Sequence, residues 1–184
     1  MKLLGVSVEK HDEIKKQILE FFLLRVKNIM SADGLRYDLV DAVLASGIDD
    51  ITQTFKRADA LKEFAKDKDK LHLSTQALTR VVNISKQPLQ KIEIDTALFS
   101  NASEKALYES FCDIEAKADE AFAQGNYLAV LEYVAKLAEP INVFFDSVMV
   151  MVEDEKVKNN RLSLLKKIAV FSSSVADLSY IVEQ

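Results

Sequence analysis

Punctuation is what this chain lacks. Its 184 residues contain four glycines and two prolines, and Gly5, Gly34, Gly47 and Gly125 stand isolated from one another. Hairpins and sandwiches need a turn every eight to twelve residues, built from Gly, Pro, Asn and Asp. Leu, Ala, Lys and Glu, the residues that lose least on entering a helix, are plentiful instead. The chain is therefore expected to be all-α, a helical bundle. In IKKQILEFFLLRVKNIM, Ile14, Ile18, Phe21, Phe22, Val26 and Ile29 recur at the three-to-four spacing of an amphipathic helix that ends near Gly34. YDLVDAVLAS reads as a second helix stopped by Gly47, and DDITQTFKRADALKEFAK as a third capped by Asp49 or Asp50. HLSTQALTRVVNISK reads as a fourth, ending before Pro88.

LQKIEID alternates like a strand but stands alone, so it reads as an extended connector. The next helix has Ser103 as its cap and Gly125 just past its end. A helix-turn-helix pair through residues 125–150 follows, in which Pro140 either opens a helix or kinks one. The last helix is expected over 154–182, with Val157, Leu164, Leu165, Ile168, Phe171, Val175 and Leu178 facing the core.

The isolated glycines exclude a phosphate-cradling loop. Cys112 is the only cysteine, so an internal disulfide and a multi-cysteine metal site are excluded, and its place in an amphipathic helix suits a small buried side chain. His11 and His72 are the only histidines; His72, with no cysteine or second histidine near it in sequence, is read as structural. The expectation is a noncatalytic segment with no cofactor and no metal. No apolar run approaches the roughly 20 residues a membrane span needs, and the start lacks a signal peptide's cleavage site, which makes the cytoplasm the expected compartment.

A net charge of −5 argues against nonspecific nucleic-acid binding, but the charge is unevenly placed. Residues 70–92 carry four cations and no acid, and residues 156–176 carry five and none. Between them, residues 104–120 hold six acids against two lysines. Within the basic zones Arg80, Asn83 and Lys86 stand at i, i+3 and i+6, and Lys158, Asn160 and Arg161 cluster on one turn. Arginine and asparagine offer the directional donors that unstacked bases need, so these six are candidate RNA contacts, while solvated surface charge is the plain alternative.

The segment FFDSVMVMVEDEKVKNNRLSLLKK, 144–167, runs from an apolar stretch through three acids into the second basic zone. It resembles the C-terminal end of the β subunits of bacterial tetrameric glycyl-tRNA synthetases, where FFD-VMVM-EDE and NRL recur. LRYDLVDAVLA (35–45), RADALKEF (57–64), TRVVNISK (79–86), EKALY (104–108) and the LAEPIN that closes 127–142 are similar to segments of the same family, in the same order. The resemblance covers about residues 12–182 and implies an all-helical anticodon-binding domain of the DALR type over 12–184, with 1–11 as linker or added sequence. It departs from the family pattern at Lys158, where arginine is frequent, and at Thr79 and Glu139, where lysine is frequent and the positive charge is therefore lowered.

The same resemblance implies glycine tRNA as partner, together with the remainder of the β subunit and an α subunit in an α2β2 assembly. ATP and Mg2+ are then expected at the α subunit. It adds Arg36 and Tyr37 of the RYD motif as candidate RNA contacts, with Tyr37 either stacking a base or sitting in the core. Phe144, Phe145, Val148, Met149 and Val152 are expected to pack the core, and the acids at 153–155 to start the final helix. A helical protein-interaction domain without direct RNA contact is the competing reading.

Overall fold

The computed structural model describes residues 8–48, 50–89 and 91–182, with side chains from residue 13 onward. Within them the chain forms eight α-helices: α1 (Val8–Ala32), α2 (Tyr37–Ala45), α3 (Ile51–Phe64), α4 (Lys68–Ser85), α5 (Ala102–Ala123), α6 (Tyr127–Ala135), α7 (Ala138–Ser147) and α8 (Glu155–Ser172). Two 3-10 turns, Thr96–Leu98 and Leu178–Tyr180, complete the regular structure. Residues 1–7, most of the stretch read as linker, lie outside the described residues, and α1 begins inside that stretch.

Helix α4 is the axle of the bundle, packing against α8, α7, α6 and the closing 3-10 turn, while α5 lies against α6 and α7 and α3 against α6. The apolar stripe of α4, Leu71, Ala77, Leu78 and Val81, is fully inside, as are Phe111 and Leu107 of α5, Ile141 and Phe144 of α7, and Leu164, Leu165 and Ile168 of α8. Burial of each such side chain contributes about 1.5–3 kcal/mol.

Short polar side chains open most of the helices by accepting from backbone N–H groups that have no partner within the helix. Asp50 accepts from Gln53 N–H and Asp154 from Lys156 and Val157 N–H; Asp49, the other cap considered, lies outside the described residues. Gly125, at φ 70°, closes α5, and the Asn126 N–H reaches back to the Ala121 carbonyl at 2.9 Å. Pro140 falls in the first turn of α7, where its missing N–H costs nothing, so it opens a helix. Residues 91–95 lie outside any helix or strand, with Asp95 extended at φ −107°, ψ 109°.

Several expectations are corrected. Helix α4 starts at Lys68, a turn ahead of His72, because Asp67 caps it through the Lys70 N–H. Asn101, not Ser103, caps α5: its side chain accepts from Ser103 N–H while Glu104 accepts from the Asn101 N–H, a reciprocal capping box. Helix α8 stops at Ser172 and does not continue to 182. Ser172 and Ser173 turn their hydroxyls onto the Ala169 carbonyl, and the Asp177 N–H then bonds Ala42 O of α2 at 2.9 Å. Serine competing for backbone acceptors ends the helix without glycine or proline. Val175 and Leu178 are buried as expected, but from the loop and turn beyond α8.

Helix α7 likewise ends at Ser147, and the backbone turns extended at Val148. Period two replaces period 3.6 there, so Val148 and Val150 are buried while Met149, expected in the core, is 75% exposed. Val152 is half-buried. Cys112 is exposed, because it lies about 100° around α5 from the buried Phe111.

Candidate nucleic-acid interface

Ala77, Leu78, Val81 and Ser85 claim the inner face of α4, which leaves Arg80, Asn83 and Lys86 on its outer face along one solvent-facing strip. The Lys86 ammonium donates to Asn83 Oδ1 at 3.0 Å, so the Asn83 amide N–H groups are turned outward. The Arg80 guanidinium lies 4.4 Å from the centroid of the Phe145 ring and donates from Nη1 to Asn142 Oδ1 at 3.3 Å. Both partners come from α7, one turn apart. A guanidinium held over a ring by a cation–π contact loses less rotamer freedom on binding a ligand. Asn142 and Phe145 were not among the expected contacts, and a spacing of more than sixty residues from Arg80 gives the sequence no local signal for the pairing.

Asn142 also lines an open groove of about 470 Å³ between α4 and the α6–α7 corner. Leu73 and Val143 form its exposed apolar lining, Lys70 and Lys136 its cations and Glu139 and Asp146 its acids. Lys70 is already committed to Glu132, with both carboxylate oxygens at 2.9 Å. The groove therefore offers an apolar lining beside the Arg80 donor edge.

The second basic zone is divided: Lys156 and Lys167 are exposed, whereas Asn160 and Arg161 point inward. Asn160 is buried and makes a two-point clamp on the connector, accepting from the Asp95 N–H at 2.7 Å and donating to the Asp95 carbonyl at 3.0 Å. Arg161 is 7% exposed. Its Nε donates to Glu104 Oε1 at 2.7 Å, Nη1 to the Met149 carbonyl at 2.9 Å and Nη2 to Ser100 Oγ at 2.9 Å. Arg161 and Asn160, both expected on the RNA face, are thus buried with their polar groups engaged inside the protein. Lys158 is partly exposed and ion-paired with Glu155.

Glu104, 1% exposed, accepts through Oε2 from the Ser100 and Asn101 N–H groups at 2.8 and 2.7 Å. Burial alone opposes ionisation of this carboxyl, but the Arg161 hydrogen bond and the two N–H groups outweigh it and hold Glu104 below the usual carboxylate range. A depressed folded-state pKa contributes stability that is complete above the unfolded value of about 4.3 and is lost as pH falls through the folded value. The melting temperature is therefore expected to fall on acidification below about pH 4, with a flatter acid limb in Glu104→Gln. Equal acid limbs in the two proteins would remove Glu104 from this role.

The RYD motif repeats the device at the start of α2. Asp38 is buried and accepts from Arg36 Nε and Nη2 at 2.5 and 2.7 Å, from Leu39 N–H at 3.0 Å and from Val182 N–H at 2.9 Å. Arg36 thus faces its own carboxylate, while Tyr37 is exposed beside it. Arg57, also buried, donates to the Ser46 and Gly47 carbonyls at the end of α2 and to Val175 O. Of the eight candidates, the structure brings Arg80, Asn83 and Lys86 together in solvent, places Arg36 and Tyr37 at the start of α2 and Lys158 at the start of α8, and buries Asn160 and Arg161.

Comparison with known proteins fits this architecture. The DALR anticodon binding domain pattern matches residues 74–175, more than half of the chain and spanning most of α4 through α8. The chain is 35% identical to the glycine–tRNA ligase β subunit of Shouchella clausii and 39% identical to that of Desulforamulus reducens, in each case over 97% of its own length and 26% of the relative's. It is 40% identical to that of Geobacter metallireducens over 92% of its length and 24% of the relative's. It spans about a quarter of the curated relatives it matches. This chain belongs to the DALR anticodon-binding domain family.

Proposed function

We propose that the domain recognises the anticodon arm of glycine tRNA as a noncatalytic part of a cytoplasmic glycyl-tRNA synthetase β subunit, supporting the ATP-dependent attachment of glycine. On this reading glycine activation, with ATP and Mg2+, belongs to a partner α subunit in an α2β2 assembly, and residues 12–184 form the anticodon-binding unit. Among the described residues no helix is long and apolar enough to cross a membrane.

The observation that carries the reading is the Arg80–Phe145–Asn142 arrangement, a pre-oriented guanidinium on the exposed face of the helix where the family match begins. Glycine codons begin GG, so every glycine anticodon ends in CC. A splayed cytosine presents O2 and N3 as acceptors, which the free edge of Arg80 and the outward amide of Asn83 can meet, and an N4 donor for a carbonyl or carboxylate. Lys86 adds charge for phosphate.

Arg80→Ala in the full-length enzyme is expected to weaken glycine tRNA binding by about 1–3 kcal/mol if the arginine reads a base edge, relaxing discrimination at one anticodon letter. Lys86→Ala is expected to weaken all anticodon variants alike and to reduce the salt slope by about one. Filter binding at matched salt against a noncognate tRNA measures both, with glycine-dependent pyrophosphate exchange as the control for an intact enzyme. Unchanged affinity in both variants would favour the protein-interaction reading instead.

A further inference from the structure

Among the described side chains, helix α1 is anchored through its C-terminal part. Val26 and Met30 are buried against the body of the domain, whereas every described side chain from residue 13 to residue 25 is exposed. The exposed part is not a polar arm. Ile18, Leu19, Phe21, Phe22, Leu23 and Leu24 leave Glu20 as the one polar residue in seven.

At about 100° per residue these six point to all sides of the helix. Leu19 and Phe21, about 200° apart on that count, are 49% and 61% exposed. A helix that is apolar all round belongs in an interior, and one partner helix laid along it covers only a stripe. Pairing with the α1 of a second copy would therefore leave Leu19 or Phe21 in water. The occupant has to surround the helix. Polar residues mark where the enclosed part stops, with Lys15, Lys16 and Gln17 before it and Arg25 after it.

The relatives that match this chain over 97% of its length are about four times as long, so in them the equivalent of α1 belongs to a much longer polypeptide. We infer that residues 18–24 of α1 insert into an apolar slot formed between two or more helices on the remainder of the full-length polypeptide, tethering the RNA-reading bundle to it. The inference rests on the reading that this chain is one domain of a synthetase β subunit. It assigns α1 to protein contact and leaves the α4 face free for RNA.

The test uses the full-length polypeptide, with Leu19 or Phe21 replaced in turn by the photoreactive p-benzoylphenylalanine. The expected result is that both positions cross-link within one polypeptide to segments outside this chain, and to two different segments. Hydrogen exchange on the unmodified protein supplies an independent reading: amides 18–24 are expected to be protected to the same degree as residues 164–168 of α8. Cross-links between two copies of α1, a cross-link from one position only, or fast exchange at 18–24 would each overturn the inference. Glycine tRNA affinity is measured in parallel by filter binding, so loss of the functional reading with intact cross-links, or the reverse, tells the two apart.

Discussion

Arg161→Ala is expected to destabilise the fold by about 3–5 kcal/mol at neutral pH, the usual effect of removing one partner from a buried ion pair. The guanidinium holds three separate pieces of chain at once: Glu104 in the first turn of α5, Ser100 just before it and the Met149 carbonyl in the extended segment after α7. Its loss leaves the Glu104 carboxylate without its cation inside the protein, although the Ser100 and Asn101 N–H groups remain. Arg161→Lys should recover only part of the loss, because an ammonium cannot present a planar fork to three acceptors.

The sign of the pH dependence is diagnostic. In the variant, burial is no longer offset by Arg161, so Glu104 takes up a proton at higher pH and the gap to the parent narrows as the solution is acidified. Urea denaturation at two pH values reads both effects. A variant of unchanged midpoint but lowered tRNA affinity would return Arg161 to the RNA face.

That outcome bears on how far the sequence could be read. Most helices were legible from their apolar spacing, because burial of one face is what makes a short helix form at all, but of the stripe read on α1 only Val26 is buried, and Ile14, Ile18, Phe21, Phe22 and Ile29 are exposed. Boundaries failed where the stop signal was not glycine or proline: Ser172 and Ser173 end α8 through side-chain bonds to the Ala169 carbonyl, and only the bond from Asp177 to Ala42 shows why the chain must turn there. Met149 was misplaced because the chain leaves the helix at Val148, where the backbone turns extended, and an apolar run carries no mark of its own period.

The site was harder for a different reason. Arginine next to asparagine on a helix looks the same whether it faces a phosphate or a carboxylate 57 residues away, and Arg161 with Asn160 turned out to be the scaffold clamp. Asp38 and Arg57 belong to the same class of buried polar side chains that pin loop backbone. Arg80 remained outside because α4 has its apolar stripe elsewhere, and its ring and amide partners arrive from a helix that only the fold brings near.

The two adjacent phenylalanines of α7 separate core from surface, and Phe144→Ala is the second large effect. Phe144 is fully buried, and truncating it is expected to destabilise the domain by about 3–5 kcal/mol, a lost transfer contribution plus an unfilled cavity. Phe145 touches Phe144 edge to face at 5.4 Å between centroids but is only half-buried, with the Arg80 guanidinium covering its outer side. Phe145→Ala should therefore destabilise clearly less than Phe144→Ala. It should also release Arg80, so that tRNA affinity falls beyond what the loss of stability explains. A double-mutant cycle between Arg80→Ala and Phe145→Ala is expected to show a coupling of about 0.5–1 kcal/mol in stability, the size of an exposed cation–π contact. The same cycle in tRNA binding should be strongly non-additive, since removing either partner already dismantles the arrangement that faces the base. Additive effects on binding would mean that Arg80 reaches the RNA without the ring beneath it, and a Phe145→Ala deficit as large as that of Phe144→Ala would place both rings in the core.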